Sequence, residues 1–283
     1  MDNRRSLKIV LAGLAFAFVL VWSVIASRSD DSLHVYFLNV GQGDATLIRT
    51  PDGNDILIDG GPDESVLSEI GSVLPFWDRK IELLILTHPD SDHVSGLVSV
   101  LERYSVDEVW GTGVSHQSSI YIEFLRLIDS SQIKFHDVYQ GEKRVFDEQV
   151  SLEVLAPLSN LAGRTVKDTN STSIVCRLDY QNKSFLFTGD APSEIENDLI
   201  NQSANLKADV LKVSHHGSRS ATSEEFLQAV SPQIAIISCG KDNRFNHPHQ
   251  EVLERLQNFS IQILRTDLEG RIEIEINQSI KIK

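Results

Sequence analysis

The sequence predicts an α/β fold in which two sheets pack face to face with helices outside both, preceded by one N-terminal membrane-spanning helix. Three observations carry this. Strand-like runs alternate with helical ones through most of the chain, a pattern that places helices on the faces of sheets. The two halves share a plan: strand hairpins, then strands alternating with helices, with each half donating a polar loop. Residues Ile9 to Ala26 hold 18 positions without a charge, which as a helix reach roughly 27 Å, about one hydrocarbon core.

Arg4, Arg5 and Lys8 precede the apolar run. The positive-inside rule then assigns 1–8 to the cytoplasm, 9–26 to a transmembrane signal-anchor, 27–32 to a linker and 33–283 to an extracytoplasmic domain at the cell membrane. Secretion after cleavage behind Val24-Ile25-Ala26 is the rival reading, although the run is long beside the roughly 7–15 residues of a signal-peptide core. No second span appears, so this stretch cannot form a multi-helix channel by itself.

In the domain, His34 to Phe37 opens a strand. Gly41 and Gly43 around Gln42 allow a tight turn before strand Ala45 to Ile48, and Pro51-Asp52-Gly53-Asn54 turns a hairpin. Asp55 to Asp59 is a third strand, ending in Gly60-Gly61. Glu64 to Val73 is helical. Ile81 to Leu86 is apolar and β-prone, hence a buried strand. Val94 to Tyr104 sets Val94, Leu97, Val98 and Leu101 on one helical face. Helix Ile120–Ile128 lies between strands Val106–Trp110 and Ile133–Val138, and strand Val150–Leu155 follows. Beyond an irregular loop over Leu158–Asp168 the pattern restarts, with strands Ser173–Leu178 and Ser184–Thr188 about a turn. Helix Ala191–Ile200, strand Asp209–Val213, helix Ser223–Ala229, strand Gln233–Ser238 and helix Glu251–Gln257 come next. Strands Ile261–Leu264 and Arg271–Ile276 close the chain.

The composition, 41% hydrophobic and 23% charged over 283 residues, is that of a globular protein. Cys176 and Cys239 make no disulfide framework; they can pair in an oxidising compartment, but each sits in or at the end of an apolar strand-like run, as buried free thiols do. Residues 1–28 carry four cations and Asp2, a net +3, so the rest of this −14 chain carries −17. Such a domain is a poor non-specific DNA binder through its surface at large, and a polyanionic substrate has to be held locally.

The chemistry concentrates in Thr87-His88-Pro89-Asp90-Ser91-Asp92-His93-Val94-Ser95-Gly96, where His88, Asp90, Asp92 and His93 fall within six residues. They sit on a strand-to-helix loop, where open α/β sheets place ligands. Imidazole nitrogens and carboxylate oxygens there can converge on one or two divalent cations. Asp190 ends another strand, where it can bridge two metals or merely cap a helix. His215-His216 follows strand Asp209–Val213, one of the pair suited to a metal and the other to substrate. His247 and His249 flank Pro248. Asp59, at a neighbouring strand end, is placed to orient a ligand histidine. About six ligands suit a two-metal site, which makes hydroxide available at neutral pH and stabilises charge developing on phosphoryl or carbonyl oxygens.

These residues resemble the metallo-β-lactamase superfamily, and more narrowly the metallo-hydrolase domain of the ComEC competence family, which takes up DNA. The resemblance is carried by Val40-Gly-Gln-Gly-Asp44, Asp59-Gly-Gly61, Thr87 to Gly96, Asn170-x-x-Ser173-Ile-Val, Thr188-Gly-Asp190, Leu211-Lys-Val-Ser-His-His-Gly-Ser218 and Asn243-x-x-x-His247-Pro248. It implies an αββα sandwich with His88, Asp90, Asp92, His93, Asp190 and His216 as ligands of two zinc or manganese ions. Asp190 would bridge them, and His216 is preferred to His215 because the superfamily's last ligand commonly precedes a glycine. His215 and His247 would face the scissile group. Asn170 falls where many members supply another histidine, and Asp90 where many have His, which moves the donor set toward oxygen and suits manganese. Asp44 and Asp59 would support the ligands, while Ser218, Arg219, Lys241 and Arg244 would hold phosphate oxygens.

The expected activity is therefore that of a membrane-anchored, outward-facing phosphodiesterase or nuclease related to DNA uptake, with single-stranded DNA as substrate and a separate channel protein as partner. Two alternatives stand beside it. One is a hydrolase of another phosphodiester, a lactone or an amide. The other is a metal-stabilised accessory subunit of a DNA-uptake channel without turnover.

Overall fold

The computed structural model describes residues 3–26, 32–146 and 149–283. Helix α1 (Asn3–Ala26) exposes the apolar side chains described between 7 and 22, Ile9, Leu14, Phe16 and Phe18 each by more than half. Among the described residues, no helix is long and apolar enough to cross a membrane. The span expected over 9–26 thus stands on the sequence alone. The expected linker lies, Ser32 apart, outside the described residues.

The first half runs β1 (Leu33–Phe37), β2 (Thr46–Arg49), β3 (Asp55–Ile58), α2 (Ser65–Val73), β4 (Lys80–Ile81), β5 (Leu83–Ile85), α3 (Ser91–Arg103), β6 (Ser105–Val106), β7 (Glu108–Gly111), α4 (Ser119–Ser130) and β8 (Lys134–Asp137). The second runs β9 (Lys143–Val145), β10 (Val150–Ala156), β11 (Val175–Tyr180), β12 (Lys183–Phe187), α5 (Ser193–Asn201), β13 (Val210–Lys212), α6 (Glu224–Val230), β14 (Ile234–Ile237), α7 (Gln250–Asn258), β15 (Gln262–Arg265), α8 (Thr266–Glu269), β16 (Ile272–Asn277) and β17 (Ser279–Ile282). One sheet has the order β17-β16-β1-β2-β3-β5-β7-β8 and the other β15-β14-β13-β12-β11-β10-β9, with β4 and β6 forming a separate pair.

The period-two alternation of strands builds three apolar layers. Ile56, Ile58, Leu83 and Ile85 of the first sheet meet Phe185, Phe187, Val210, Ile234 and Ile236 of the second in a shared core. Leu57 and Leu84 point the other way, against Val66, Ile70, Val94, Leu97 and Phe124 of α2, α3 and α4. Leu186, Leu211, Ala235 and Ile237 do the same against α5, α6 and α7. Central strands covered on both faces read as continuous apolar runs, which is why they were legible. The arrangement is the expected αββα sandwich.

The closing run Arg271–Ile276 forms β16, which returns to the first sheet and pairs antiparallel with β1, Leu33 opposite Ile276 and Phe37 opposite Ile272. The expected strands Ile81–Leu86 and Val106–Trp110 each break in two, into β4 and β5 and into β6 and β7, and β9 and β17 lie outside the expected strands. Helix α3 begins at Ser91 rather than Val94, with Asp90 extended at its N-cap position (φ −72°, ψ 149°), so Asp92 and His93 occupy its first turn. This helix lies backbone to backbone on the loop after β3. Gly60 N donates to His93 O at 2.8 Å and Gly96 N to Gly61 O at 3.0 Å, and a Cβ on Gly96 would meet Gly60 O at 1.9 Å.

At the opposite end of β3, buried Asp55 leaves both carboxylate oxygens without a hydrogen bond, and its nearest cation is Arg49 Nε at 3.8 Å. Burial pushes its carboxyl up to about 7; Arg49 opposes this, while Asp78 and Glu82 add to it. The fold thus binds a proton that the unfolded chain has released above about pH 4. That contribution is complete below pH 4 and is lost as pH rises through 7. Asp55→Asn should raise stability at pH 8 by on the order of 2–4 kcal/mol and change it little near pH 4, as urea denaturation at the two pH values would show.

Candidate metal centre

Four strand ends supply the site. The C-terminal ends of parallel β3 and β5 carry Asp59 and the His88–His93 segment. Those of parallel β12 and β13 carry Asp190 and His215-His216. The last pair lies in a left-handed turn over Ser214–Gly217, with φ 48° at His215, 55° at His216 and 82° at Gly217. Consecutive non-glycine residues in that region are strained by roughly 1–3 kcal/mol each. The surroundings hold the turn: His215 N donates to Gly189 O at 3.2 Å and Ser218 N to His215 O at 2.8 Å.

The hydrogen bonds behind the histidines set their tautomers. Asp59 accepts Thr87 N and Thr87 Oγ1, both at 2.8 Å, and lies 2.9 Å from His93 Nδ1. With its proton given to Asp59, the Thr87 hydroxyl accepts from His88 Nδ1 at 3.0 Å. His216 Nδ1 donates to Ser238 O at 2.9 Å. In its neutral form each of the three rings thus keeps its proton on Nδ1 and turns the Nε2 lone pair inward, where a metal can take it.

Those Nε2 atoms of His88, His93 and His216, with Asp190 Oδ1, are buried and have no hydrogen-bond partner. Asp190 Oδ2 stands 3.5 Å from His93 Nε2, 3.5 Å from His216 Nε2 and 3.9 Å from His88 Nε2. Asp92 Oδ2 is 3.4 Å from His216 Nε2, and Asp90 Oδ2 is 3.7 Å from His88 Nε2. These gaps are too long for hydrogen bonds. They match ligands about 2.1 Å from a shared tetrahedral ion, which lie roughly 3.4 Å apart. Ligand atoms gather in overlapping groups, His88–His93–Asp190, Asp92–His93–His216 and Asp44–Asp190–His216. Orphaned lone pairs, converging carboxylates and a nitrogen–oxygen donor set fit a divalent metal site.

The charge balance agrees. Burial alone would lower the His216 imidazole, but Asp190, Asp44 and Asp92 raise it to about 10. His93 is raised well above its ordinary value against burial, by Asp190 and Asp59. Burial would raise the Asp190 carboxyl, yet the imidazoles of His216, His93 and His88 hold it far below the usual range. A field that favours a proton so strongly also favours a cation, and the two compete for the same atoms.

The other expected residues divide. His215 is a quarter exposed, with Nε2 3.7 Å from Asp190 Oδ2 and Nδ1 3.4 Å from Asn170 Nδ2. It borders the centre but joins none of the close groups. Asp90 Oδ1 accepts from Thr169 Oγ1 at 2.6 Å. His247 faces the pair, 5.6 Å from the His215 ring and 6.2 Å from that of His216. Burial and those neighbours push it down to about 4. Ser218 is buried and bonds Ser220 Oγ at 3.0 Å. Arg219 extends instead toward Glu251, Nη1 to Oε1 3.8 Å. Arg244 lies over the Phe245 ring, 4.7 Å from its centroid, and with Asp92, Gln42 and Phe245 it lines a cavity of about 520 Å³. Lys241 is exposed on the same loop. Asp190 does not cap α5, whose N-cap position is Pro192.

Thr87, Ser238, Thr169 and Lys212 were not singled out by sequence. Lys212 is buried in β13 with Nζ 2.7 Å from Asp44 Oδ2, and Asp44 Oδ1 lies 3.1 Å from His216 Nδ1. A charged residue inside an apolar run was the available signal. Replacing Asp59 by Ala frees both Thr87 and His93, and should weaken metal binding roughly 10–100-fold, measurable by competition with a chelating dye.

The family model of the metallo-β-lactamase superfamily matches residues 38–241, which include every element from β2 to β14 and every expected ligand. The chain belongs to the metallo-β-lactamase superfamily. Its relatives include ComE operon protein 3 of Bacillus subtilis, 32% identical over 96% of this chain and 37% of that protein. Competence protein ComA of Neisseria gonorrhoeae is 30% identical over 85% of this chain and 32% of that protein. The chain thus spans about a third of the length of these relatives. Among solved structures, the metallo hydrolase Igni18 of Ignicoccus hospitalis superposes with a TM-score of 0.54 at 13% identity, over 86% of this chain and all of that one. That likeness is one of fold. As a metallo-β-lactamase superfamily member related to competence proteins, the chain is a metal-dependent hydrolase.

Proposed function

We propose that this hydrolase cleaves phosphodiesters, with single-stranded DNA as substrate, at the outer face of a membrane that α1 enters as an anchor. The observation that supports it most is the convergence of three bare imidazole nitrogens on the Asp190 carboxylate, beside a cavity that reaches Arg244. In this reading His88, Asp90, Asp92, His93, Asp190 and His216 hold two divalent ions, zinc or manganese. Bound ions supply Lewis acidity and a nucleophile from water at neutral pH.

The chain's own residues do the rest. Asp59, Thr87 and Ser238 keep the ligand rings turned inward. His247, held neutral at pH 7 by its low pKa, can accept a hydrogen bond from water or donate one to a phosphate oxygen, as can His215. Arg244 offers a cation at the cavity rim. With a net charge of −17 over residues 29–283, the substrate is gripped at this rim and not by the surface at large. A setting in competence is supported by the names of the relatives, Competence protein ComA among them; DNA uptake, with a separate channel protein as partner, is part of this proposal.

The test uses the full chain in detergent, stripped of metal and resupplied with Mn²⁺ or Zn²⁺, on single-stranded DNA and a generic phosphodiester side by side, with Asp92→Ala as control. Metal-dependent DNA cleavage that vanishes in the variant establishes the nuclease. Turnover of the generic ester alone keeps the hydrolase and discards DNA. Metal binding without turnover of either overturns the phosphodiesterase reading.

A further inference from the structure

We propose that Phe76 and Trp77 form a membrane-facing edge, inserting into the headgroup–acyl boundary of the bilayer that α1 enters and turning the metal centre away from the lipid. This rests on the reading of α1 as an anchor. The two rings stand edge to face, with centroids 4.8 Å apart, and are 80% and 64% exposed. The same domain buries Phe37, Phe124, Phe185 and Phe226 completely. Two adjacent aromatic rings left in water are out of keeping with such a core, and a bilayer interface is an environment that aromatic side chains favour.

Their position in the fold selects the bilayer as the occupant. His34, at the start of β1, is the Cα partner of Arg49, and Arg49 Nη2 bonds Asp78 Oδ2 at 2.9 Å. The loop carrying Phe76 and Trp77 therefore borders the end of the sheet at which the chain enters the domain. Ala26 and Ser32 are six residue steps apart, a reach of at most about 20 Å. The anchor thus keeps this end of the sheet beside the membrane. The metal-site residues sit at the other end: Asp59 follows β3 and His88 follows β5, whose starts, Asp55 and Leu83, lie at the Arg49 end. A domain of net charge −17 gains little from anionic headgroups as a whole. Of the nearby cations, Lys80 is paired with Glu82 and Asp107, and Arg79 bonds the Tyr104 hydroxyl. Apolar insertion is then the main mode of contact.

The chain's three tryptophans provide the test. Trp22 lies on α1, Trp77 on the proposed edge, and Trp110 is buried with Nε1 bonded to Glu108. The full chain is reconstituted in vesicles with brominated acyl chains, as three variants that each keep one tryptophan and carry Phe at the other two positions. Emission from Trp22 and from Trp77 should be quenched, and that from Trp110 unchanged. Quenching of Trp22 without Trp77 overturns the edge and leaves the anchor standing. Quenching of neither removes the anchor and the edge with it, and quenching of all three overturns the oriented arrangement. Should loss of Trp110 impair folding, Trp77→Cys alone can carry an environment-sensitive label, since Cys176 and Cys239 are buried free thiols. That label should be shielded from iodide and reached by lipid-borne quenchers; the opposite pattern overturns the edge.

Discussion

Asp190→Ala is expected to abolish hydrolysis and the stabilisation that metal confers. Asp190 Oδ2 lies within 3.9 Å of four imidazole nitrogens, those of His88, His93, His215 and His216. Every other carboxylate of the centre reaches fewer. In the proposed two-ion site each ion would lose a ligand at once without this carboxylate, and the histidines lose the main charge that draws a cation to them. Turnover should fall by at least roughly 10²–10³-fold, the loss seen when a single charge-stabilising group is removed from an active site. The sharper measurement is thermal. Adding metal to the stripped wild type should raise its melting temperature by mass action on the folded state, and the variant should show no such rise. A variant that still gains stability from metal would show that Asp190 is not a shared ligand. Asp190→Asn separates the charge from the shape, and should keep the stripped protein's fold while losing most of the metal response.

Much of this centre could be read before the fold was seen, because it lies where the sequence signal is strongest. Buried strands β5, β12 and β13 are short, mostly apolar runs, and each leads within one or two residues into the polar residues of the site. The strand-to-loop step is thus written in one dimension. What could not be read is whatever the third dimension assembles. Asn170 reaches His215 across 45 positions, and Ser238 holds His216 from just beyond β14. The return of β16 to the first sheet depends on pairing with β1 more than 230 positions away, for which a local pattern has no sign. The helix start was misjudged because Ser91, Asp92 and His93 are polar, and apolar periodicity begins only at Val94; the first turn of α3 is spent on the site. The extended Asp90 at the N-cap position shows the boundary only in its backbone.

Lys212→Met is expected to be among the most destabilising single changes outside the apolar core. Lys212 Nζ is 2.7 Å from Asp44 Oδ2, with the two side chains 3% and 6% exposed, and it also donates to Val213 O at 2.9 Å. Removing one partner of a buried pair strands the other charge, a cost of about 3–5 kcal/mol, against a total of roughly 5–15 kcal/mol for a domain. Burial would raise the Asp44 carboxyl, but Lys212 first and His216 second hold it far below its usual range. The sign of the pH dependence follows. With its pKa depressed in the fold, Asp44 adds stability that is complete above about pH 4 and lost as pH falls through the folded value. In Lys212→Met the carboxyl loses its main cation and takes up a proton at higher pH, which relieves the stranded charge. The gap between wild type and variant should therefore be widest near pH 7 and narrow toward pH 4, as denaturant titrations of the metal-free protein would show. Asp44→Asn in the Lys212→Met background should recover part of the loss, since the two changes act on one contact and cannot add. A deficit that stays constant with pH would place the cost in lost packing of the lysine stem, and not in the Asp44 charge that sits behind His216.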